Sequence, residues 1–188
     1  MNYIVLDTEF NQPAPHLFNP KTRFKPNRIC PFELIEIGAV KLDENFREID
    51  TFKVFIKPVI YYNLSPIIKR KTGISSKDLK YGLPFETAIK NFKEWISDDS
   101  YLLCVWSDND IKELKRNCKY HNLKNDWLKD HLDIQAEASK YFDLPKGQQI
   151  GLEKAIKRLD LKVDMKFHRA LNDAIYTAEV FRVIKEPI

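Results

Sequence analysis

Tyr101-Leu102-Leu103-Cys104-Val105-Trp106 is a nearly unbroken apolar run. It lacks the polar–apolar alternation of a strand with one wet face. Strands buried on both faces occur where helices cover a parallel sheet on both sides. The run therefore points to an α/β chain, and the segments around it supply the covering. Ser107 is expected to cap a helix to about Tyr120, with Ile111, Leu114 and Cys118 as its inner stripe. Pro84 opens a second helix to Ile96, with Phe85, Ala88, Ile89, Phe92 and Ile96 at helical spacing.

Leu34–Leu42 and Ile49–Ile56 read as strands, joined at Asp43-Glu44-Asn45 into an antiparallel hairpin. Pro58 ends the second of them. Pro66–Lys71 reads as a short helix, with Ser65 as N-cap and Gly73 closing its C-terminus. A last short strand is expected over Leu132–Ala136, and helices over Gly151–Leu159 and Phe167–Ile184. Ala170, Ala174, Ala178 and Phe181 lie down one side of the final helix, where small residues allow close approach to the sheet. The result is a mixed five-stranded sheet containing a hairpin and flanked by helices, in one domain over residues 1–188.

Ahead of these stands Tyr3-Ile4-Val5-Leu6-Asp7-Thr8-Glu9-Phe10, an apolar strand that runs into two acids. Side chains alternate along a strand, so Asp7 and Glu9 share one face, roughly 6.5–7 Å apart, and Thr8 takes the other. Paired carboxylates at the end of a buried strand raise each other's pKa unless a cation lies between them. The pattern suits two hard divalent ions about 3.5–4 Å apart. Taken alone, Asp-x-Glu is explained more simply by a strand that merely ends at Asp7, with Glu9 solvated. Two further acids strengthen the cation reading. Asp110 lies on the inward stripe with Leu114 and Cys118, whereas Asp108 aligns with Lys112 and Lys115 toward solvent. Ser107-x-x-Asp110 also has the form of a capping box, a purely local role. Asp173 borders the packed side of the last helix with Thr177, Val180 and Ile184, where an unpartnered carboxylate is costly. His168 lies near that helix's start; His16, His121 and His131 have no patterned context. In a parallel arrangement these acids meet at one sheet edge, where α/β folds build their sites.

Between strand and hairpin, residues 11–32 carry Pro13, Pro15, Pro20, Pro26 and Pro31 with Lys21, Arg23, Lys25 and Arg28. A connection this long either folds over a substrate as a lid or remains a solvated loop. The net charge of +4 permits an anionic partner without requiring one. Cys104 and Cys118 sit in apolar patterns, and with Cys30 the three show no metal-ligand spacing, so a reducing cytoplasm is the simplest compartment. No charged-then-apolar leader opens the chain, and no run nears the roughly 20 apolar residues of a membrane span. No membrane association is expected, and no obligate protein partner can be inferred.

Asp7-Thr8-Glu9-Phe10, Trp106-Ser107-Asp108-Asn109-Asp110 and His168-Arg169-Ala170-Leu171-Asn172-Asp173-Ala174 resemble, in that order, the three motifs of the DEDDh 3′–5′ exonucleases. These are DnaQ-like, RNase T-like enzymes with an RNase H-like fold. Phe32–Val40, Lys57-Pro58, Leu64-Ser65-Pro66 and Lys71-Thr72-Gly73-Ile74 are similar to the subgroup that holds KapD and the histone-mRNA and small-RNA exonucleases. One departure is Ser107, where the family usually has Gly after Trp. The resemblance implies a metal-dependent exonuclease acting on the 3′ end of single-stranded RNA or DNA, with RNA somewhat favoured. It implies two Mg²⁺ or Mn²⁺ ions held by Asp7, Glu9, Asp110 and Asp173, with His168 as general base. Oxygen ligands of this kind suit those ions rather than zinc. Thr8 and Phe10, beside the acids, become candidates for substrate contact, Phe10 by stacking on the terminal base; packing into the core is the alternative for Phe10. Two other functions compete: a nucleic-acid-binding regulatory module that keeps the fold, and a phosphodiesterase for very short oligonucleotides.

Overall fold

The computed structural model describes residues 1–13, 26–97 and 100–185. Most of the expected lid, including Lys21, Arg23 and Lys25, lies outside the described residues. β1 (Asn2–Asn11) is the middle strand of a five-stranded sheet. On one side β2 (Glu33–Leu42) pairs antiparallel with β1 and with β3 (Glu48–Phe55), forming the expected hairpin. Asp43 fixes its turn by accepting the N–H groups of Asn45 and Arg47 at 2.8 and 2.9 Å. Then come α1 (Pro66–Thr72), α2 (Ser76–Lys80) and α3 (Phe85–Ile96). β4 (Tyr101–Val105) returns parallel to β1 on its other side and leads into α4 (Asp108–Tyr120). β5 (His131–Asp133) adds parallel to β4, followed by α5 (Ile134–Tyr141), α6 (Leu152–Arg158) and α7 (Ala170–Lys185). The strand order is β3-β2-β1-β4-β5, the mixed sheet that the sequence predicts.

Alternation along the central strands sorts the core into two layers. Ile4, Leu6, Leu103 and Val105 face α3 and α4, where Phe92, Ile111 and Leu114 are fully or almost fully buried. Val5 and Cys104 face the opposite way, onto Ile134 of α5 and Ala174, Ala178 and Phe181 of α7. Cys30, Cys104 and Cys118 are all buried free thiols. No helix among the described residues is long and apolar enough to cross a membrane.

Three local expectations need correction, and one helix is an addition. The strand expected over Leu132–Ala136 stops at Asp133, whose carboxylate accepts the Ala136 N–H at 2.9 Å and starts α5. α2 was not anticipated from sequence; Ser75 and Asp78 cap it reciprocally. Ser65 precedes α1 but makes no side-chain cap bond; its N–H is instead held by Asn11 Oδ1 at 3.0 Å. The last helix begins at Ala170 rather than Phe167, because His168 has a left-handed backbone with φ 63°.

Candidate active site

The acids gather where β1, α4 and the start of α7 meet. Glu9 and Asp173 are buried, and with His168 they each offer one ligand atom within 4.8 Å of the others. Asp173 has two tasks. Its Oδ2 accepts the His168 N–H at 3.0 Å, which fastens the turn before α7. Its Oδ1 is buried with no hydrogen-bond partner. A buried carboxylate oxygen without a donor is costly, and a cation satisfies it. The oxygen donors, their spacing and this orphaned atom fit a hard divalent ion. Beside them opens a cleft of about 350 Å³, lined by Gly151, Leu152, Glu153, Phe167, His168 and Asp173 among others.

Asp110 reaches the same strand end from the other face. Its Oδ1 accepts the backbone N–H of Thr8 at 3.1 Å and also the Thr8 hydroxyl. The carboxylate is therefore not spent on the capping box that Ser107-x-x-Asp110 spells. Ser107 Oγ caps α4 alone, accepting the Asn109 N–H at 3.3 Å. Asp108 turns away: its Oδ1 lies 3.0 Å from Nε2 of His131, a histidine that the sequence leaves without a role. Asp110 lies at the strand end beside Thr8, whereas Asp108 meets His131 rather than open solvent.

Like charges and desolvation act together on the cluster. Desolvation, then the charges of Asp110, Glu9 and Asp173, hold the Asp7 carboxyl well above the usual range. Glu9 is pushed up to about 8, first by burial and next by Asp173, with Lys71 opposing. Asp110 and Asp173 are each raised to about 6 by burial, against hydrogen bonds from Thr8 and from the His168 N–H respectively. His168 shifts the other way. Desolvation and then Lys71 lower its pKa, so the imidazole is neutral at neutral pH, ready to accept a proton or a metal ion.

The surrounding frame contains residues that sequence reasoning missed. Glu36 lies directly opposite Glu9 in the β1–β2 pairing and is fully buried. Its carboxylate takes a two-pronged grip from Arg169, at 2.9 and 3.2 Å, and the Ala170 N–H at 3.3 Å. Glu36 thus ties the two residues that follow His168 to the sheet. A strand acid whose partner lies 133 residues away leaves no local signal. Two strand positions on, Gly38 faces Asp7 and leaves room for the first turn of α7. A bulge between Glu9 and Phe10 shifts the register, and Phe10 packs against the α3–α4 core layer. Thr8 commits its hydroxyl to Asp110.

The model of the RNase T family, described as Exonuclease, matches residues 4–181. KapD of Bacillus subtilis, described as a probable 3′–5′ exonuclease, is 25% identical over 186 residues, covering 97% of this chain and 84% of KapD. The 3′–5′ exoribonuclease 1 of Mus musculus is 25% identical over 157 residues, 79% of this chain but only 45% of that protein. The solved nuclease domain of 3′hExo, a DEDDh family member bound to rAMP, superposes with a TM-score of 0.82 at 21% identity, covering 97% of this chain and 90% of that one. The sheet and its helices are thus those of the DnaQ-like exonuclease fold. The chain itself belongs to the RNase T exonuclease family.

Proposed function

We propose that this chain removes nucleotides from the 3′ end of single-stranded nucleic acid, with RNA favoured over DNA, using two Mg²⁺ or Mn²⁺ ions. The observation that carries the reading is the meeting of Glu9, Asp173 and His168 within 4.8 Å, with Asp173 Oδ1 left without a donor. Asp7, Glu9, Asp110 and Asp173 would hold the ions. Held there, the ions would supply a water of lowered pKa and charge to offset that on the leaving oxygen. His168 accepts the proton that this water loses as its oxygen bonds to phosphorus. The phosphorus–O3′ bond breaks, the freed 3′ oxygen takes a proton from solvent, and a nucleoside 5′-monophosphate departs. Thr8 holds Asp110 in place, Glu36 and Arg169 hold the His168 junction, and the cleft beside Phe167 receives the terminal nucleotide. Support for RNA comes from the relatives: one is named an exoribonuclease, and the 3′hExo domain is bound to rAMP.

The test is a degradation assay on matched 5′-labelled single-stranded RNA, single-stranded DNA and duplex, with and without Mn²⁺. Mn²⁺-dependent shortening from the 3′ end is expected, fastest on single-stranded RNA. Asp7→Ala and Asp173→Ala are each expected to slow it by a factor on the order of a thousand, with an unchanged circular dichroism spectrum. Shortening that survives either substitution refutes the assignment. Binding without hydrolysis by the wild type favours the regulatory module instead.

A further inference from the structure

Between Ile56 and Leu83 stand six bases, Lys57, Lys69, Arg70, Lys71, Lys77 and Lys80, against one acid, Asp78. That excess is larger than the net +4 of the whole chain. Asp78 is occupied, its Oδ2 accepting the Ser75 N–H and hydroxyl at 2.8 and 2.7 Å at the head of α2. Among the described residues none of the six bases is in a salt bridge. Two large rings stand in water on the same stretch: Tyr62 is 78% exposed and Tyr81 73%. Lys57, Tyr62, Leu64, Ser76 and Lys80 are among the residues lining a groove of about 210 Å³ there, and Lys80 Nζ lies 5.8 Å from the centre of the Tyr81 ring.

This face is continuous with the acid cluster. Asn11, two residues beyond Glu9 on β1, donates to the carbonyls of Tyr61 and Asn63 at 2.8 and 3.2 Å and accepts the Ser65 N–H at 3.0 Å. The backbone on both sides of Tyr62 is thereby pinned to the strand that carries the acids. Lys71, in the last turn of α1, is near enough to oppose the negative charge on Glu9 and Asp173. Unpaired cations with interleaved exposed aromatics are what a single strand needs, phosphates on the lysines and bases on the rings.

We propose that this face is the track for the single strand lying 5′ of the scissile bond, with Lys57 and Lys80 on phosphates and Tyr62 and Tyr81 under bases. The inference rests on the exonuclease reading of the neighbouring site. Two measurements separate their failures. One is fluorescence anisotropy of a labelled single strand of about 16 nucleotides, without divalent metal and over a range of salt. The other is kcat/KM in Mn²⁺ for that strand and for a dinucleotide. All four side chains are exposed, so the double variants are expected to keep the fold. Lys57→Ala with Lys80→Ala is expected to weaken binding and flatten the log–log salt slope by about 1.4, two phosphates' worth. Tyr62→Ala with Tyr81→Ala is expected to weaken binding about tenfold or more at an unchanged slope. Both erase the advantage of the long strand and leave dinucleotide turnover as in the wild type. Wild-type binding by both variants overturns the track, as does a wild type that binds no strand or turns over the dinucleotide as efficiently as the long strand. Strand binding lost in the variants, from a wild type that hydrolyses nothing, counts against the hydrolytic reading alone.

Discussion

Gly38 faces Asp7 across the β1–β2 pairing, and a Cβ on Gly38 would lie 2.0 Å from the backbone nitrogen of Leu171. The missing side chain lets the first turn of α7 rest on the sheet beside the first acid. Gly38→Ala must push that turn outward, because the obstructing atoms are backbone. Overpacking of this kind costs about 1–3 kcal/mol. The larger effect is expected on rate, since His168 and Asp173 move with the helix start, and a shift of about 1 Å can cost about a hundredfold. A melting curve and kcat on one oligonucleotide check both; an unperturbed kcat contradicts this account of α7.

Asp110 and Asp108 are two residues apart yet have different partners, Thr8 and His131. Asp110→Asn is expected to lower kcat by about a hundredfold or more, by the loss of one anionic ligand. Asp108→Asn is expected to change it less than about threefold, since its partner is the partly exposed His131 ring, away from Thr8 and the strand end. Parallel steady-state assays decide, and the reverse ranking reassigns the second acidic motif.

His168 is placed where it could take a proton or bind an ion. His168→Ala is expected to slow hydrolysis by about 10²–10⁴ while Mn²⁺ titration by calorimetry gives the wild-type stoichiometry. If the substitution removes a bound ion, His168 is a ligand, and the proton acceptor must be sought elsewhere.

The acid cluster is expected to give the metal-free protein an unusual pH dependence. Asp7, Glu9, Asp110 and Asp173 all have raised pKa values in the folded chain. The folded chain therefore keeps protons that the unfolded chain has released above about pH 4. The stability associated with these groups is full below that range. It falls as pH rises through about 6, where Asp110 and Asp173 ionise, to about 8, where Glu9 does. Without metal, Tm is expected to fall between about pH 5 and pH 8. Mn²⁺ binds the ionised form and is expected to raise Tm more at the upper end. Asp7→Asn removes one repelling charge and is expected to raise the metal-free Tm at pH 8. A Tm that rises over this interval without metal contradicts a crowded anionic site.

The legible parts of the fold were those with a strong period. β1, the hairpin, α3, β4 and α4 announce themselves by alternation, by helical spacing of Phe85 to Ile96, or by unbroken apolarity. The missed parts depend on single side chains acting at a distance or on caps within a weak pattern. α5 is hidden because Leu132 to Ala136 alternates like a strand, whereas the Asp133 carboxylate turns the chain into a helix. The late start of α7 is hidden because helical spacing extends through residues whose backbone is fixed by Asp173 and Glu36. The placing of Asp110 was legible from its stripe, but its tether to Thr8 was not, since the two lie 102 residues apart.

Asp173 is the latch of a helix and, in the proposed reading, also a berth for a cation, because one oxygen closes the turn at His168 and the other is buried with no hydrogen-bond partner. An ion drawn to the second oxygen cannot leave the first unaffected. Filling and emptying the centre should therefore be felt as tightening and slackening of the last helix's opening turn. The amide of His168 becomes a built-in reporter of occupancy, readable by hydrogen exchange with no substrate present.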